Sequence, residues 1–357
     1  MNVAFYSMRL QFDGDFLEKR GLGGSESALI NMTRNWKIVF PRDKIAIYNG
    51  TTPRKTTNFN GVIYKTLTDF FLNYRSANWD AFITMRDPEP LMSPYLDAKV
   101  KCLWSQDDMN EPGLQVLQSN LYATTNADCI FGISNYACGE IKWAFPDVEV
   151  IVIRNGYNDD WLTTNSEKEP IAVYASTPFR GLDVLVEVWP RIFLGCKERG
   201  IEPRLKVFSS MSLYGQPEGG FGELYRTINQ IEGAEYIGAV SQKQLYEEFT
   251  KAKVMLYPNH YLETGCMAVL EALANGVWVV TTDLGALGEQ VVDRISGYLI
   301  EGDAHSDEYK DIFIERSIHS LCGNFKPKTK GLVFSWKEQA AKMRAEIQDQ
   351  LDRKKAI

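Results

Sequence analysis

The 357-residue chain lacks several things, and each absence removes a class of function. No apolar run approaches the length of a membrane span, so no membrane-crossing helix is expected. There is no excess of positive charge. The formal net charge is −7 at pH 7, which gives no bulk reason to expect nucleic acid as a partner. The six cysteines (Cys102, Cys129, Cys138, Cys196, Cys266, Cys322) form no Cys-x-x-Cys pair and sit mostly in apolar stretches. They predict buried free thiols in a reducing compartment rather than a disulfide framework or zinc module. Histidine is scarce, with three in all, and His260 with Glu263 is the one spacing that suits a metal. A lone pair of that kind is weak, and no metal is expected. No basic-then-apolar leader precedes the first strand candidate, so a cytoplasmic location is expected, with peripheral membrane contact left open. The glycine run Gly21-Leu22-Gly23-Gly24-Ser25-Glu26 lacks the third glycine of a dinucleotide fingerprint, because that position is Glu26. Ser7–Arg20 also separates it from the first strand. A nicotinamide dehydrogenase is therefore disfavoured.

What is present is a regular alternation. Strand candidates fall at Val3–Tyr6, Ile45–Tyr48, Val62–Lys65, Ala81–Met85, Val100–Trp104, Cys129–Ile133 and Val150–Ile153, with helical stretches between them, notably Ser25–Trp36, Gly113–Tyr122 and Asn135–Ala144. A polar segment from Asn158 to Pro170 reads as a linker. The pattern then restarts, with strands at Ile171–Ala175, Leu205–Ser209, Glu235–Ile237, Val254–Tyr257, Val277–Thr281 and Gly297–Ile300. Helices are predicted at Leu182–Phe193, Glu223–Ile231, Gln242–Lys251, Gly265–Asn275 and Asp307–Leu321, and a charged amphipathic helix ends the chain at Ser335–Leu351. Such alternation predicts α/β architecture: two tandem doubly wound parallel-sheet domains, 1–157 and 171–334, joined by 158–170 and followed by 335–357. Ligands of such sheets bind at strand carboxyl ends, so a crevice between the two domains is the expected site.

Four segments carry chemistry. In Glu263-Thr264-Gly265-Cys266-Met267-Ala268-Val269-Leu270-Glu271, Glu271 sits inside an apolar run. A buried carboxylate needs a polar partner, either a cationic side chain or a ligand. Gly265 permits close backbone approach where the helix begins, and free amides there suit an anion. If the stretch is largely helical, the two carboxylates lie roughly 12 Å apart. Two acids flanking an anion-ready helix start fit a ligand that is polar at both ends and anionic in the middle, as a nucleotide sugar is. Arg180, within Ser176-Thr177-Pro178-Phe179-Arg180-Gly181, stands between a strand and a helix, where its fork of donors can neutralise a diphosphate. Asp107, in Trp104-Ser105-Gln106-Asp107-Asp108, is placed to orient an acceptor hydroxyl or take its proton; ordinary loop acidity is the competing reading. Asp13-Gly14-Asp15 reads as a solvated turn. Gly23 and Gly24 form a flexible loop feeding a helix start, able to approach a phosphate or sugar or to act as a plain turn with Ser25 as cap.

Together these residues resemble the retaining glycosyltransferases of the GT-B fold, close to family four, in which Glu-x7-Glu is matched by Glu263 and Glu271. The run Asn275–Glu289, Gly297–Ile300, Ile153–Tyr157 and Gly23–Glu26 also look like that family. The resemblance implies two Rossmann-like domains around a cleft and a final helix crossing back to the first. It implies that Glu271 binds the ribose, Glu263 contacts the donor sugar, and the amides of Cys266, Met267 and Ala268, with Gly24, hold the diphosphate. Arg180 would stabilise the departing phosphate, and Val240 would lie beside the base. A UDP-, GDP- or ADP-sugar would be the donor, with no cofactor or metal, and a hydroxyl of a glycan, lipid or protein the acceptor. The chain departs from the family where Ser176 stands upstream of Arg180 without a second basic residue, and where Gln106 occupies a position often held by histidine. A nucleotide-sugar epimerase of the same fold and a non-catalytic nucleotide-sugar or glycan binder are the alternatives.

Overall fold

The computed structural model describes residues 1–8, 10–50, 55–119, 125–163 and 167–356. The chain divides into two compact units. The first comprises Met1–Phe16, Gly24–Asn155 and Phe334–Ile357, the second Leu17–Gly23 and Gly156–Val333.

Among the described residues the first unit holds eight strands: β1 (Asn2–Ser7), β2 (Lys44–Asn49), β3 (Thr57–Phe59), β4 (Val62–Lys65), β5 (Trp79–Met85), β6 (Ala98–Trp104), β7 (Cys129–Gly132) and β8 (Glu149–Val152). Their order is β3-β4-β2-β1-β5-β6-β7-β8. All neighbours run parallel except the β3–β4 pair at one edge. Val3, Ala4, Phe5, Phe82, Ile83, Leu103, Ile130 and Phe131 are fully buried, as expected of strands covered on both faces. The last helix, Trp336–Lys355, begins on a Ser335–Glu338 capping box and packs on the helix Gly24–Val39. Arg344 donates to Asp43 Oδ2 at 2.7 Å, and Trp36 Nε1 donates to the same oxygen at 2.9 Å. Burial alone would raise the Asp43 pKa, but these donors outweigh it and hold it near about 2.

Among the described residues the second unit has six strands, β9 (Glu169–Ala175), β10 (Arg204–Phe208), β11 (Ala234–Tyr236), β12 (Ala252–Tyr257), β13 (Trp278–Thr282) and β14 (Gly297–Ile300), all parallel and ordered β11-β10-β9-β12-β13-β14. Numbered within the unit, this is 3-2-1-4-5-6, the doubly wound order. The direction of winding reverses between β9 and β12. That reversal marks where loops part at the carboxyl ends of the strands and a ligand can enter.

The alternation read from the sequence is thus realised as two parallel-sheet α/β units. One detail differs. The helix predicted at Gly113–Tyr122 is observed at Pro112–Ser119, and 120–122 lie outside the described residues. In the polar segment 158–170, of which 164–166 lie outside the described residues, Asn158, Trp161 and Lys168 are each anchored. The Asn158 amide donates to the Tyr246 hydroxyl at 2.9 Å, and Trp161 packs edge-on against the Tyr246 ring. Further along, Lys168 Nζ donates to the carbonyls of Phe249 and Asn275 at 2.8 and 2.7 Å, and burial pulls its pKa down to about 8. Among the described residues no helix is long and apolar enough to cross a membrane.

Candidate active site

In the second unit, Arg180 follows β9 and Glu263 follows β12, so they stand on either side of the switch point. Arg180 Nη1 donates to Glu263 Oε1 at 2.8 Å. The Tyr257 hydroxyl, at the end of β12, donates to the same oxygen at 2.5 Å. Tyr257 is fully buried, and burial, reinforced by the Glu263 charge, pushes its phenol pKa well above the ordinary value, so it stays a donor. Ser176 Oγ lies 3.4 Å from that hydroxyl. Three of the residues singled out in the sequence, Ser176, Arg180 and Glu263, therefore meet in one network.

Arg180 is clamped without being saturated. Its guanidinium stacks 4.2 Å from the Tyr261 ring centroid, with Phe179 on its flank. Burial opposes its charge, but the Glu263 carboxylate more than offsets that and raises its pKa. Its Nε is buried with no hydrogen-bond partner. An unpaired buried donor is costly, so this nitrogen marks a place where an acceptor is missing.

The Glu263 loop is braced from behind. The Glu263 carbonyl accepts from the Ala286 amide at 2.7 Å. Gly285, at φ +61°, passes so close that a Cβ there would lie 2.3 Å from the same carbonyl oxygen. Here the left-handed backbone and the close approach together require glycine.

The helix after Glu263 spans Met267–Ala274, with Cys266 as N-cap. It starts later than the sequence suggests, so Glu263 and Glu271 are not on one continuous helix and the 12 Å spacing does not apply as a helical rise. The predicted diphosphate cradle also changes. The Cys266 amide donates to Gln290 Oε1 at 2.9 Å, while Gln290 Nε2 returns a bond of 2.9 Å to the Cys266 carbonyl. That amide is already satisfied. The anion reading then rests on Met267 and Ala268, the latter leaning on the Cys266 sulfur, a weak acceptor. Gly265 is half-buried between Glu263 and this helix start.

Glu271 is buried, at 2% exposure, and among the described residues no arginine or lysine meets it. Its partner is Gln242 Nε2, from the first residue of the helix Gln242–Lys251. Burial without a cation lifts its pKa to about 8, only partly countered by Gln242. Val240 lies half-buried just before this helix, and Gly21 packs on Leu213, Ala239 and the Val240 carbonyl. Gly23 belongs to the second unit, and Gly24 opens the helix Gly24–Val39 of the first.

Asp107 is placed differently from the expectation. It lies beyond β6 in the first unit, where Arg86 grips it as a fork: Nε to Oδ2, and Nη2 to Oδ1 at 2.5 Å. Both carboxylate oxygens are engaged by Arg86, a pairing that the sequence reading of Asp107 did not include. Asp13-Gly14-Asp15 is not a solvated turn either. Asp13 and Asp15 are half-buried, Thr57 Oγ1 donates to Asp13 Oδ1 at 2.8 Å, and Gly14 is packed on Phe59. His260 pairs with Asp183 rather than Glu263. Sequence reasoning missed Tyr257, Tyr261, Gln242 and Gln290. Tyr257 and Tyr261 looked like strand and loop aromatics, and only the polar tip of Tyr257 at a strand end hinted otherwise.

Comparison with known proteins bears on the fold and on part of the second unit. Residues 221–315 match the family described as glycosyl transferases group 1. Over 187 residues the chain is 27% identical to an uncharacterized glycosyltransferase of Methanocaldococcus jannaschii, covering 52% of this chain and 49% of that protein. Over 235 residues it is 22% identical to the lipopolysaccharide 1,2-N-acetylglucosaminetransferase of Salmonella typhimurium, covering 58% of each. The matches thus span about half the length of these relatives. Among solved structures, sucrose-phosphate synthase from Thermosynechococcus elongatus superposes with a TM-score of 0.77 at 14% identity, over 99% of both chains. Anabaena HepE in complex with UDP-glucose superposes with a TM-score of 0.66 at 13% identity, over 100% of this chain and 99% of that one. The two parallel-sheet α/β domains are those of the GT-B glycosyltransferase fold.

Proposed function

We propose that the protein transfers a sugar from a UDP-, GDP- or ADP-sugar to a hydroxyl of a glycan, lipid or protein acceptor, with retention at the anomeric carbon and no metal ion in the transfer step. The observation that carries this reading is the Arg180–Glu263 pair at the β9/β12 switch point, with Arg180 Nε buried and unsatisfied. A departing diphosphate oxygen supplies the acceptor that nitrogen lacks. Arg180 and the Met267 and Ala268 amides then stabilise the leaving charge where it develops. Both donors to Glu263 converge on Oε1, which leaves Oε2 to take a hydroxyl of the donor sugar. Glu271 accepts from the ribose hydroxyls, Ser176 and the glycines Gly23 and Gly24 line the phosphates, and Val240 flanks the base. In the transfer the bond from the anomeric carbon to the phosphate oxygen breaks and a bond to the acceptor oxygen forms on the same face. The acceptor proton passes to the leaving phosphate. No side-chain base is needed, which suits an Asp107 already forked by Arg86. The protein's task is to position groups and to stabilise charge. The family match over 221–315, and a fold shared with a UDP-glucose complex, support the donor class.

The test is incubation with UDP-, GDP- and ADP-sugars, with and without a panel of hydroxyl acceptors, while nucleoside diphosphate release is followed. Release that depends on acceptor is expected with one base preferred. Conversion of the donor without acceptor would point to an epimerase. Tight binding without turnover on any acceptor would make the protein a binder instead.

A further inference from the structure

We propose that Asp183, His260 and His305 form a binding site for a divalent transition-metal ion of the zinc class, separate from the groups that handle the donor. Two of the chain's three histidines converge here on one carboxylate. His260 Nε2 lies 3.6 Å from Asp183 Oδ1, and His305 Nδ1 lies 3.9 Å from Asp183 Oδ2. The two imidazole rings are 4.8 Å apart. Imidazole nitrogen and carboxylate oxygen bind zinc at about 2.0–2.2 Å in a tetrahedron, so adjacent donor atoms sit about 3.4 Å apart. The two distances run to different oxygens of Asp183; with one ligand atom taken from each residue, the three donors all lie within 4.8 Å of one another. The side chains are a third to a half exposed, so small rotamer changes can close the difference. A mixed nitrogen and oxygen set favours zinc, nickel or copper over magnesium and calcium, which take oxygen ligands. Three protein ligands leave a fourth position for water.

The scaffold holds each ligand by its backbone. Asp183 is in the first turn of the helix Leu182–Lys197. Its N-cap, Gly181, has φ +94°, and a Cβ there would fall 2.0 Å from the Pro258 carbonyl oxygen, so the helix start is pressed against the loop that carries His260. Within that loop, buried Asn259 brackets Tyr261, taking its amide at 3.0 Å. His305 sits in a turn fixed by its own amide, which donates to Asp303 Oδ1 at 3.0 Å, immediately before the Ser306 cap of the next helix. An ion here ties three chain segments together. One of them carries Tyr261 and Glu263, so the ion braces the loop and takes no part in sugar transfer.

The test uses untagged full-length protein, zinc chloride and a chromogenic chelator as competitor. About one zinc per chain should be withheld from the chelator, and the thermal midpoint should rise with zinc and not with magnesium. The His260→Ala/His305→Ala double variant should lose that zinc and that rise. Its midpoint without metal should match the parent, because both side chains are exposed. Asp183→Asn should weaken binding at least about tenfold. Cobalt substitution should give visible ligand-field bands without a thiolate charge-transfer band, which excludes the free cysteines as the ligands. A double variant that holds zinc as tightly as the parent overturns the assignment, as does a parent that yields all its zinc to the chelator. Neither result bears on whether the protein transfers sugar.

Discussion

Both units set an arginine against a carboxylate just beyond two neighbouring parallel strands, and the two pairs are finished differently. In the first unit Arg86 follows β5 and Asp107 follows β6, one strand over from the β1/β5 switch point. The fork is closed, with two hydrogen bonds to Asp107 and Glu111 a further 3.6 Å away. Burial opposes the Arg86 charge, but these acids and Glu26 together raise its pKa. In the second unit the pair straddles the switch point itself, Arg180 makes a single bond to Glu263, and one of its nitrogens is buried unpaired. A closed fork stabilises local structure. An open one keeps donor capacity for something that arrives later. The difference separates an ion pair that holds a loop from one that can hold a ligand, although the residue types are alike.

The largest expected effects lie in the two arginines. Arg180→Ala should cut the transfer rate about 10²–10³-fold, the size seen when one donor to a developing anion is removed. It should also destabilise the fold, because buried Glu263 loses its cation. Arg86→Ala should destabilise by about 3 kcal/mol in urea unfolding, since the part-buried Asp107 loses its cation. It should leave nucleotide affinity near the parent value in calorimetry. If Arg86→Ala abolishes nucleotide binding while Arg180→Ala spares it, the contrast between the pairs is reversed.

A smaller effect concerns Glu271, a buried acid of the second unit whose hydrogen-bond partner is Gln242 rather than a cation. Burial lifts its folded pKa to about 8 from an ordinary 4.5. The folded state therefore keeps a proton that the unfolded chain gives up. The stability this provides is complete below the unfolded value and is lost as pH rises toward 8, at up to about 1.4 kcal/mol per pH unit. Glu271→Gln should flatten that slope, so that the variant gains on the parent in urea unfolding as pH goes from acid to about 8. Parallel profiles would show that Glu271 is ionised in the fold. Ribose hydroxyls donating to the carboxylate favour its charged form. Nucleotide binding near neutral pH should then release a proton, read by calorimetry in buffers of different ionisation enthalpy. Glu271→Ala should weaken nucleotide binding by about 1.5–3 kcal/mol, the worth of a hydrogen bond to a charged group.

The sequence carried much of this, and its silences have physical reasons. Strands such as Val3–Tyr6 and Val254–Tyr257 are legible because parallel strands covered on both faces are short continuous apolar runs. β3, with Thr57-Asn58-Phe59, is an edge strand with no such run. The helix Leu67–Asn73 starts on a capping box of Thr66 and Asp69, yet at seven residues it shows little periodicity. Glu263 and Arg180 could be named from local context, each lying at the boundary of a strand and a helix. Their pairing could not, because it depends on β9 and β12 lying side by side. Gln242 was invisible as the partner of Glu271 for the same reason. Asp107 misled because Arg86, which closes on it, sits on another strand's loop in a left-handed conformation, φ +68°, that local sequence does not announce.

The smallest effect sharpens the comparison at a single atom. Tyr257 and Arg180 both donate to Glu263 Oε1, and Ser176 lies beside the Tyr257 hydroxyl. Tyr257→Phe keeps the ring and its packing against Tyr174 but removes one of the two donors. The cost to stability should be about 1–2 kcal/mol, because a buried carboxylate loses one hydrogen bond and keeps its cation. Glu263 is then held by Arg180 alone, so the guanidinium is drawn more strongly to Oε1 and is less available to a phosphate. A several-fold fall in kcat with KM for the donor little changed is the expected pattern, since the loss falls on leaving-group charge rather than on ground-state binding. A rise in KM with kcat intact would instead mean that Tyr257 orients Glu263 toward the sugar of the bound donor.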